Sequence, residues 1–188
     1  MNIELRTDSV IIDGYVNAVE RESRPLKSPM GEFVEVIKAG AFKNSLKRKP
    51  DVDLLLNHDD RRKLGSTKDK TLELYEDNIG LRAICTIRDS DVIFKAKKGL
   101  LRGWSFGFIS KTDRVDPLIV PNKRYVEELE LFEVSIIDNT MTPAYPSTSI
   151  EMRNGQEYLK EVRILKSEKS DIDYEKYKNT VNELKGGQ

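Results

Sequence analysis

The chain alternates between apolar and polar residues in many short segments, which is typical of half-buried β-strands. In residues 81–87 the alternate positions that share one predicted face are Leu81, Ala83, Cys85 and Ile87. Further strands are predicted at residues 2–6, 10–12, 33–37, 52–57, 71–75, 103–109 and 125–137.

Two short helices are predicted among these strands. Residues 41–46 carry apolar side chains four positions apart, on one helical face. Residues 91–99 follow Asp89 and Ser90, either of which can cap a helix, and Gly99 lies near the predicted end. We therefore expect a mainly β, α+β fold: a closed or nearly closed β-barrel of about seven strands surrounded by short helices.

The composition of the chain changes after residue 149. Residues 1–149 hold the predicted barrel, whereas residues 150–188 contain no tryptophan or phenylalanine and many charges. This last segment also repeats apolar residues at helical spacing: Tyr174, Tyr177, Val181 and Leu184. We predict a helical C-terminal appendage, which either docks onto a partner or packs on the barrel, followed by a flexible Gly-Gly-Gln tail.

Charge and residue counts exclude several classes of function. Lys plus Arg and Asp plus Glu both number 32, so no overall field favours nucleic acid or an anionic membrane. No apolar run approaches the roughly 18 residues of a membrane span, and the first residues lack a signal-peptide pattern. The single cysteine, Cys85, excludes an intramolecular disulfide and a cysteine-based zinc site. We expect an intracellular protein without a metal or other cofactor.

Ser105 lies in a segment with the Gly-x-Ser-x-Gly spacing of a nucleophile elbow, residues 103–107. An elbow requires a helix after the serine, whereas residues 108–113 continue as strand and turn. We therefore expect Ser105 on a β-strand and not in an α/β-hydrolase elbow. By itself, the segment is better explained by an ordinary strand serine between two aromatic residues.

His58 and Glu133 could complete a catalytic set with this serine. His58 ends an apolar strand, and it is the only histidine available for acid-base chemistry near neutral pH. Glu133 alternates on the predicted face of Leu131 and Ser135, where a carboxylate needs an imidazolium, an arginine or water as partner. Nucleophile, base and orienting carboxylate would then be present. A loop histidine without a role and a carboxylate at a wet sheet edge are the alternatives.

Six segments, in order, resemble those of the HK97-type phage prohead proteases, which are relatives in fold of the herpesvirus assembly proteases. The resemblance covers residues 9–147. Its most specific parts are Leu-Asn-His-Asp at 56–59, Leu-Arg-Gly-Trp-Ser-Phe-Gly-Phe at 101–108 and Leu-Phe-Glu-Val-Ser-Ile at 131–136. The remaining three parts are residues 12–16, 31–42 and 78–81, and residues 142–146 extend the motif at 131–136.

The resemblance implies a serine endopeptidase with Ser105 as nucleophile and His58 as general base. Herpesvirus proteases use a second histidine as third member, which this chain lacks; Glu133 lies in the corresponding strand and is preferred to Asp59. In the last motif Tyr145 stands where the family has asparagine, a difference that we expect to be peripheral to catalysis. No residue identifies the oxyanion-hole donors.

The resemblance also implies a place of action and partners. The enzyme would act inside the assembling procapsid, in the host cytoplasm, on the scaffold or on the scaffolding segment of the major capsid protein, and often on itself. A homodimer or higher oligomer is a candidate active form. Two alternatives remain: a non-catalytic procapsid scaffold or assembly protein that retains the protease fold, and another hydrolase, such as an esterase, that uses the same residues.

Overall fold

The computed structural model describes residues 1–29, 31–49 and 51–145. Its elements are β1 Asn2–Leu5, β2 Val10–Ala18, β3 Leu26–Ser28, β4 Gly31–Ile37, α1 Ala41–Arg48, β5 Asp53–Leu56, β6 Asp59–Ser66, β7 Leu72–Glu76, β8 Gly80–Ile87, α2 Ser90–Lys97, β9 Leu101–Asp116 and β10 Asn122–Asp138. The prediction of a mainly β, α+β fold with two short helices is confirmed for these residues. The appendage and tail predicted for residues 150–188 lie outside them, as does the boundary at 149.

The strands form two sheets. The first is antiparallel, in the order β1-β2-β8-β7. The second is built on β10, which pairs antiparallel with β9 from residue 123 to residue 138. Strands β4 and β5 both run parallel to β10, at residues 122–126 and 133–136 respectively. Because β9 occupies one edge of β10, β4 and β5 share the other edge, and β3 and β6 extend them outward.

Within the described residues neither sheet closes on itself. The predicted closed or nearly closed barrel is therefore not confirmed, and neither is a fold like that of the herpesvirus proteases. Alternation along a strand indicates which faces are buried, but it does not specify which strands pair or whether the two outer strands meet. No described helix has the length and apolar character that crossing a membrane requires.

One apolar core lies between the sheets and the helices. Ile12 and Leu81 enter it from the first sheet, and Phe106 enters it from the second, all with no exposed surface. Phe42 of α1 is also fully buried and packs edge-to-face on Phe106, with ring centroids 5.3 Å apart. Asp89 caps α2, as predicted, by accepting a hydrogen bond from the third residue of that helix at 3.0 Å.

A bulge in β10 decides which side chains reach each face of the second sheet. The register with β9 shifts by one residue between Leu131 and Glu133, so Phe132 is an extra residue. Leu131 and Val134 both belong to the core, and Glu133 therefore points to the opposite face together with Ser135. The prediction that Glu133 shares a face with Leu131 is wrong, because it assumed an uninterrupted period of two.

A buried ion cluster fastens the end of the described chain to the second sheet. Arg124 donates to Glu35 Oε2 at 2.9 Å and to Asp113 Oδ2 at 2.8 Å. Tyr145 donates its hydroxyl to Glu35 Oε1 at 2.7 Å, and its ring centroid lies 5.4 Å from that of Phe106. Tyr145 is thus a core residue that packs against the strand of Ser105.

Candidate active site

His58 lies in the two-residue turn between β5 and β6. Leu56 pairs with Asp59 across the hairpin, and Asn57 and His58 between them have φ angles of 54° and 58°. Positive φ at both central residues is the conformation of a type I′ turn, whose twist suits a hairpin. Asparagine adopts this conformation readily, but a residue such as histidine incurs a cost of about 1–2 kcal/mol.

Asn57 anchors this turn to β10. Its backbone N–H donates to the carbonyl of Ile136 at 2.9 Å. Its side-chain oxygen accepts from the backbone N–H of Asp138 at 3.0 Å, and its amide nitrogen donates to Thr140 Oγ1 at 3.3 Å. The turn is therefore held beside β10 by both backbone and side chain.

His58 contacts Glu133 directly. Nδ1 of the ring lies 2.6 Å from Glu133 Oε1, and the two side chains are 12% and 6% exposed. A carboxylate has no proton to donate, so the ring donates from Nδ1. In the neutral imidazole this leaves a lone pair on Nε2, which is the nitrogen that a general base uses.

Ser135 connects both members of this pair. Its hydroxyl donates to Glu133 Oε2 at 2.7 Å and accepts from the backbone N–H of His58 at 3.1 Å. The residue has no exposed surface. The sequence pattern placed Ser135 on the face of Glu133 but indicated no role for it. A hydroxyl two positions from an acidic residue, on the same face of a predicted strand, could have indicated a hydrogen bond to that carboxylate.

Ser105 lies on the same face of the sheet. It is part of β9, which confirms the prediction of a strand, and it pairs with Ser135 of β10. Directly opposite residues of an antiparallel pair share a face, with Cβ atoms about 4.5–5.5 Å apart. Trp104 and Phe106, on either side of Ser105, belong to the core. Ser105 and Glu133 thus lie on one face of the β9–β10 pair, away from the core, and His58 reaches Glu133 from the turn between β5 and β6.

Asp59, the competing candidate for the third member, faces a different partner. Its carboxylate accepts from the backbone N–H, Nε and Nη2 of Arg61, each at 3.0 Å. Arg61 is exposed, and its side chain retains 85% of its accessible surface. The carboxylate that contacts the ring of His58 at 2.6 Å is that of Glu133.

Charged groups next to the His58 turn are tightly paired. Asp138 accepts from the backbone N–H and the hydroxyl of Thr140 at 2.9 and 2.6 Å, and Lys95 of α2 lies 2.9 Å from its other oxygen. Burial alone would raise the pKa of Asp138, but the hydrogen bonds from Thr140 and Lys95 lower it to about 2. This carboxylate thus joins α2 to the end of β10, where Asn57 is anchored.

Other nucleophile and metal chemistries have little support in the described residues. Burial raises the pKa of the Cys85 thiol to about 12, so this cysteine is not an activated nucleophile. Within residues 1–29, 31–49 and 51–145, no group of three or more His, Cys, Asp or Glu side chains is arranged to hold a metal ion.

A hydroxyl and a carboxylate on one sheet face, with an imidazole against the carboxylate, are the groups that a serine hydrolase uses. The family model described as Caudovirus prohead serine protease matches residues 1–161. The chain belongs to this family, which confirms the resemblance to prohead proteases though not to the HK97 type in particular, and it is a serine peptidase. No curated protein and no solved structure matches the chain.

Proposed function

We propose that this protein is a serine endopeptidase of phage capsid maturation. Its substrates are the scaffold or the scaffolding segment of the major capsid protein, and its own chain is a further substrate. Ser105 is the nucleophile, His58 the general base and Glu133 the orienting carboxylate. The observation that carries this proposal is the contact of 2.6 Å between His58 Nδ1 and Glu133 Oε1, on the sheet face that Ser105 shares.

The chemistry follows from these roles. Ser105 Oγ attacks the scissile carbonyl carbon as its proton passes to His58 Nε2, and a tetrahedral oxyanion forms. His58 then gives the proton to the leaving amine, and the peptide bond breaks to leave an ester on Ser105. Water attacks this ester while His58 accepts its proton, and collapse of the second oxyanion returns the proton to Ser105.

Glu133 contributes through its contact with Nδ1 of the imidazole. Its carboxylate holds the ring in the tautomer that leaves Nε2 basic, and it stabilises the imidazolium formed during both steps. Since the two side chains are only 12% and 6% exposed, water screens this attraction weakly. Glu133 is preferred to Asp59 as third member because the carboxylate of Asp59 binds Arg61.

The family and the charge balance support a place of action and a set of partners. The enzyme acts inside the assembling procapsid, in the host cytoplasm, and its partners are the capsid protein and the scaffold. A homodimer or higher oligomer is a candidate for the active form. The equal numbers of basic and acidic residues give no basis for a nucleic-acid partner.

Co-expression with the cognate major capsid protein tests the proposal. We expect the wild-type protein to shorten the capsid protein, as read by intact mass, and Ser105→Ala to leave it full-length. Ser110→Ala is the matched control on the same strand, because Ser110 donates to Asp113 at 2.8 Å and lies outside the site. Full-length capsid protein in an assembled shell with the wild-type protein would favour a non-catalytic assembly protein. Cleavage of a small ester alone would favour an esterase.

A further inference from the structure

Ser135 is fully buried near the C-terminal end of β10, where the ladder of backbone hydrogen bonds does not need its hydroxyl. Burying a hydroxyl is unfavourable unless it is hydrogen-bonded. Here its donor and its acceptor capacity are both used within the candidate site: it donates to Glu133 Oε2 at 2.7 Å and accepts from the N–H of His58 at 3.1 Å.

The two oxygens of Glu133 have different partners. Oε1 contacts the ring of His58, and Oε2 accepts from Ser135. One hydrogen bond alone would leave the carboxylate free to rotate about its last torsion, which is broad for glutamate. The second bond fixes the plane of the carboxylate and therefore the direction from which Oε1 meets the imidazole.

The same hydroxyl also holds the backbone of His58. This residue lies in the left-handed region, at φ 58°, where its turn must be held by contacts from outside. Because Ser135 accepts the N–H of His58, the ring and its carboxylate are both positioned relative to one oxygen atom. Ser105 lies directly across the strands from that residue.

We infer that Ser135 is a positioning residue for the reaction of Ser105: its hydroxyl orients the Glu133 carboxylate and the His58 turn together. This inference rests on the proposed function. It also predicts a change in proton affinity, because a donor to a carboxylate stabilises the anionic form. Without that donor the His58–Glu133 pair binds a proton more strongly, so the acid limb of activity moves to higher pH.

Two other carboxylates near the pair have cationic partners of their own. Asp53 of β5 pairs with Glu133 in the sheet register, and its carboxylate lies 2.7 Å from Lys63 of β6. Asp59 of β6 is bound by Arg61. The ion pairs of Asp53 and Asp59 do not involve the hydroxyl of Ser135, so we expect them to persist in a Ser135 variant.

The test compares purified full-length wild type, Ser135→Ala, Ser135→Cys and Ser105→Ala on the cognate capsid protein across pH. Rates are normalised to the folded fraction measured by circular dichroism. We expect Ser135→Ala to lower kcat roughly ten- to hundredfold with KM little changed, since a hydrogen bond to a charged group is lost. The acid limb of the pH–rate profile should move to higher pH in Ser135→Ala. Ser135→Cys has a weaker donor of similar size, so its kcat and its acid limb should lie between those of wild type and Ser135→Ala. If the alanine variant does not fold, the cysteine variant carries the same test.

Ser45→Ala is the matched control for stability. Ser45 is 1% exposed and accepts the backbone N–H of Leu131, also on β10, at 2.7 Å, outside the site. This variant should lose stability and keep the wild-type kcat and pH profile.

Two outcomes separate the two proposals. A wild-type kcat and acid limb in Ser135→Ala, with Ser105→Ala inactive, would overturn the positioning role and leave the protease. An inactive wild type, or an active Ser105→Ala, would overturn the proposed function and this inference with it.

Discussion

Gly107 of β9 lies opposite Glu133 of β10, and a Cβ atom on Gly107 would lie 2.5 Å from Glu133 Oε1. The same Cβ would lie 2.6 Å from the ring of Phe132, the extra residue of the bulge. The missing side chain therefore leaves the space in which the carboxylate meets His58. Gly107 is the second glycine of the Gly-x-Ser-x-Gly spacing, and here it lets the Glu133 side chain of the neighbouring strand approach β9 closely. In a nucleophile elbow the same glycine would instead allow a tight turn.

Gly107→Ala should displace Glu133 Oε1 or the ring of Phe132. We expect processing of the capsid protein to fall at least about tenfold and the free energy of unfolding to fall by about 1–3 kcal/mol, the usual cost of overpacking. Initial rates and urea unfolding measure the two effects. Wild-type values for both would show that the carboxylate has room to move without loss.

Glu133→Gln and Asp59→Asn together decide the third member of the catalytic set. An amide at residue 133 no longer favours the tautomer with a basic Nε2, so kcat should fall about 10²–10⁴-fold. Asp59→Asn should stay within a few-fold of wild type, because its carboxylate faces Arg61. The opposite ranking in the same cleavage assay would assign the role to Asp59.

Asn57→Ala should destabilise the protein more than Asn57→Gly. Both variants lose the side-chain hydrogen bonds to the backbone of Asp138 and to Thr140, but only alanine is strained at φ 54°. We expect losses of about 2–3 kcal/mol for alanine and about 1 kcal/mol less for glycine. Urea unfolding at neutral pH measures the difference; equal losses would show that the turn conformation adds no cost.

Asp138 should make stability depend on pH in the acid range. Burial opposes the ionised form, yet hydrogen bonds from Thr140 and Lys95 lower the pKa of Asp138 from 3.8 to about 2. At pH values above 3.8, the ordinary pKa, the lowered pKa of Asp138 stabilises the folded state by about 2 kcal/mol. This stabilisation is lost as the pH falls from 3.8 through the folded-state pKa of about 2. Asp138→Asn should therefore be less stable than wild type at pH 7, and the gap should narrow below about pH 4. A gap independent of pH in urea unfolding would contradict this assignment.

Tyr145→Phe should remove a hydrogen bond from a fully buried carboxylate. Glu35 has no exposed surface, and Tyr145 donates to its Oε1 at 2.7 Å. We expect a loss of about 1–3 kcal/mol, the cost of leaving a buried acceptor without that donor. Tyr15→Phe removes a tyrosine–carboxylate bond of the same length, to Asp77 in a partly buried setting, and should lose less. Equal losses in thermal or urea unfolding would show that burial does not set the cost.

Local chemistry made much of this protein predictable from its sequence. The alternation in residues 81–87 is the strand β8, and the apolar spacing after Gly40 is the helix α1. Asp89 caps α2 because its side chain reaches an N–H three residues away, an interaction that neighbours in sequence decide. The motifs around His58, Ser105 and Glu133 likewise sufficed to indicate the family. Strand β6 was missed because its first residues are charged and partly or fully exposed, so no apolar alternation marks it.

Tertiary structure decided the features that depend on which distant segments meet. The bulge at Phe132 turned Glu133 away from Leu131, and no local pattern indicates an extra residue opposite β9. In the described part of the chain β10 pairs with three strands in one sheet, β1, β2, β7 and β8 form another, and neither closes into the expected barrel. His58 contacts Glu133, and Ser135 links the two residues, although about 75 positions separate His58 from both in the sequence. Sequence determined the chemical groups and local elements, because those depend on neighbouring residues; pairing and packing across the chain decided how the groups meet.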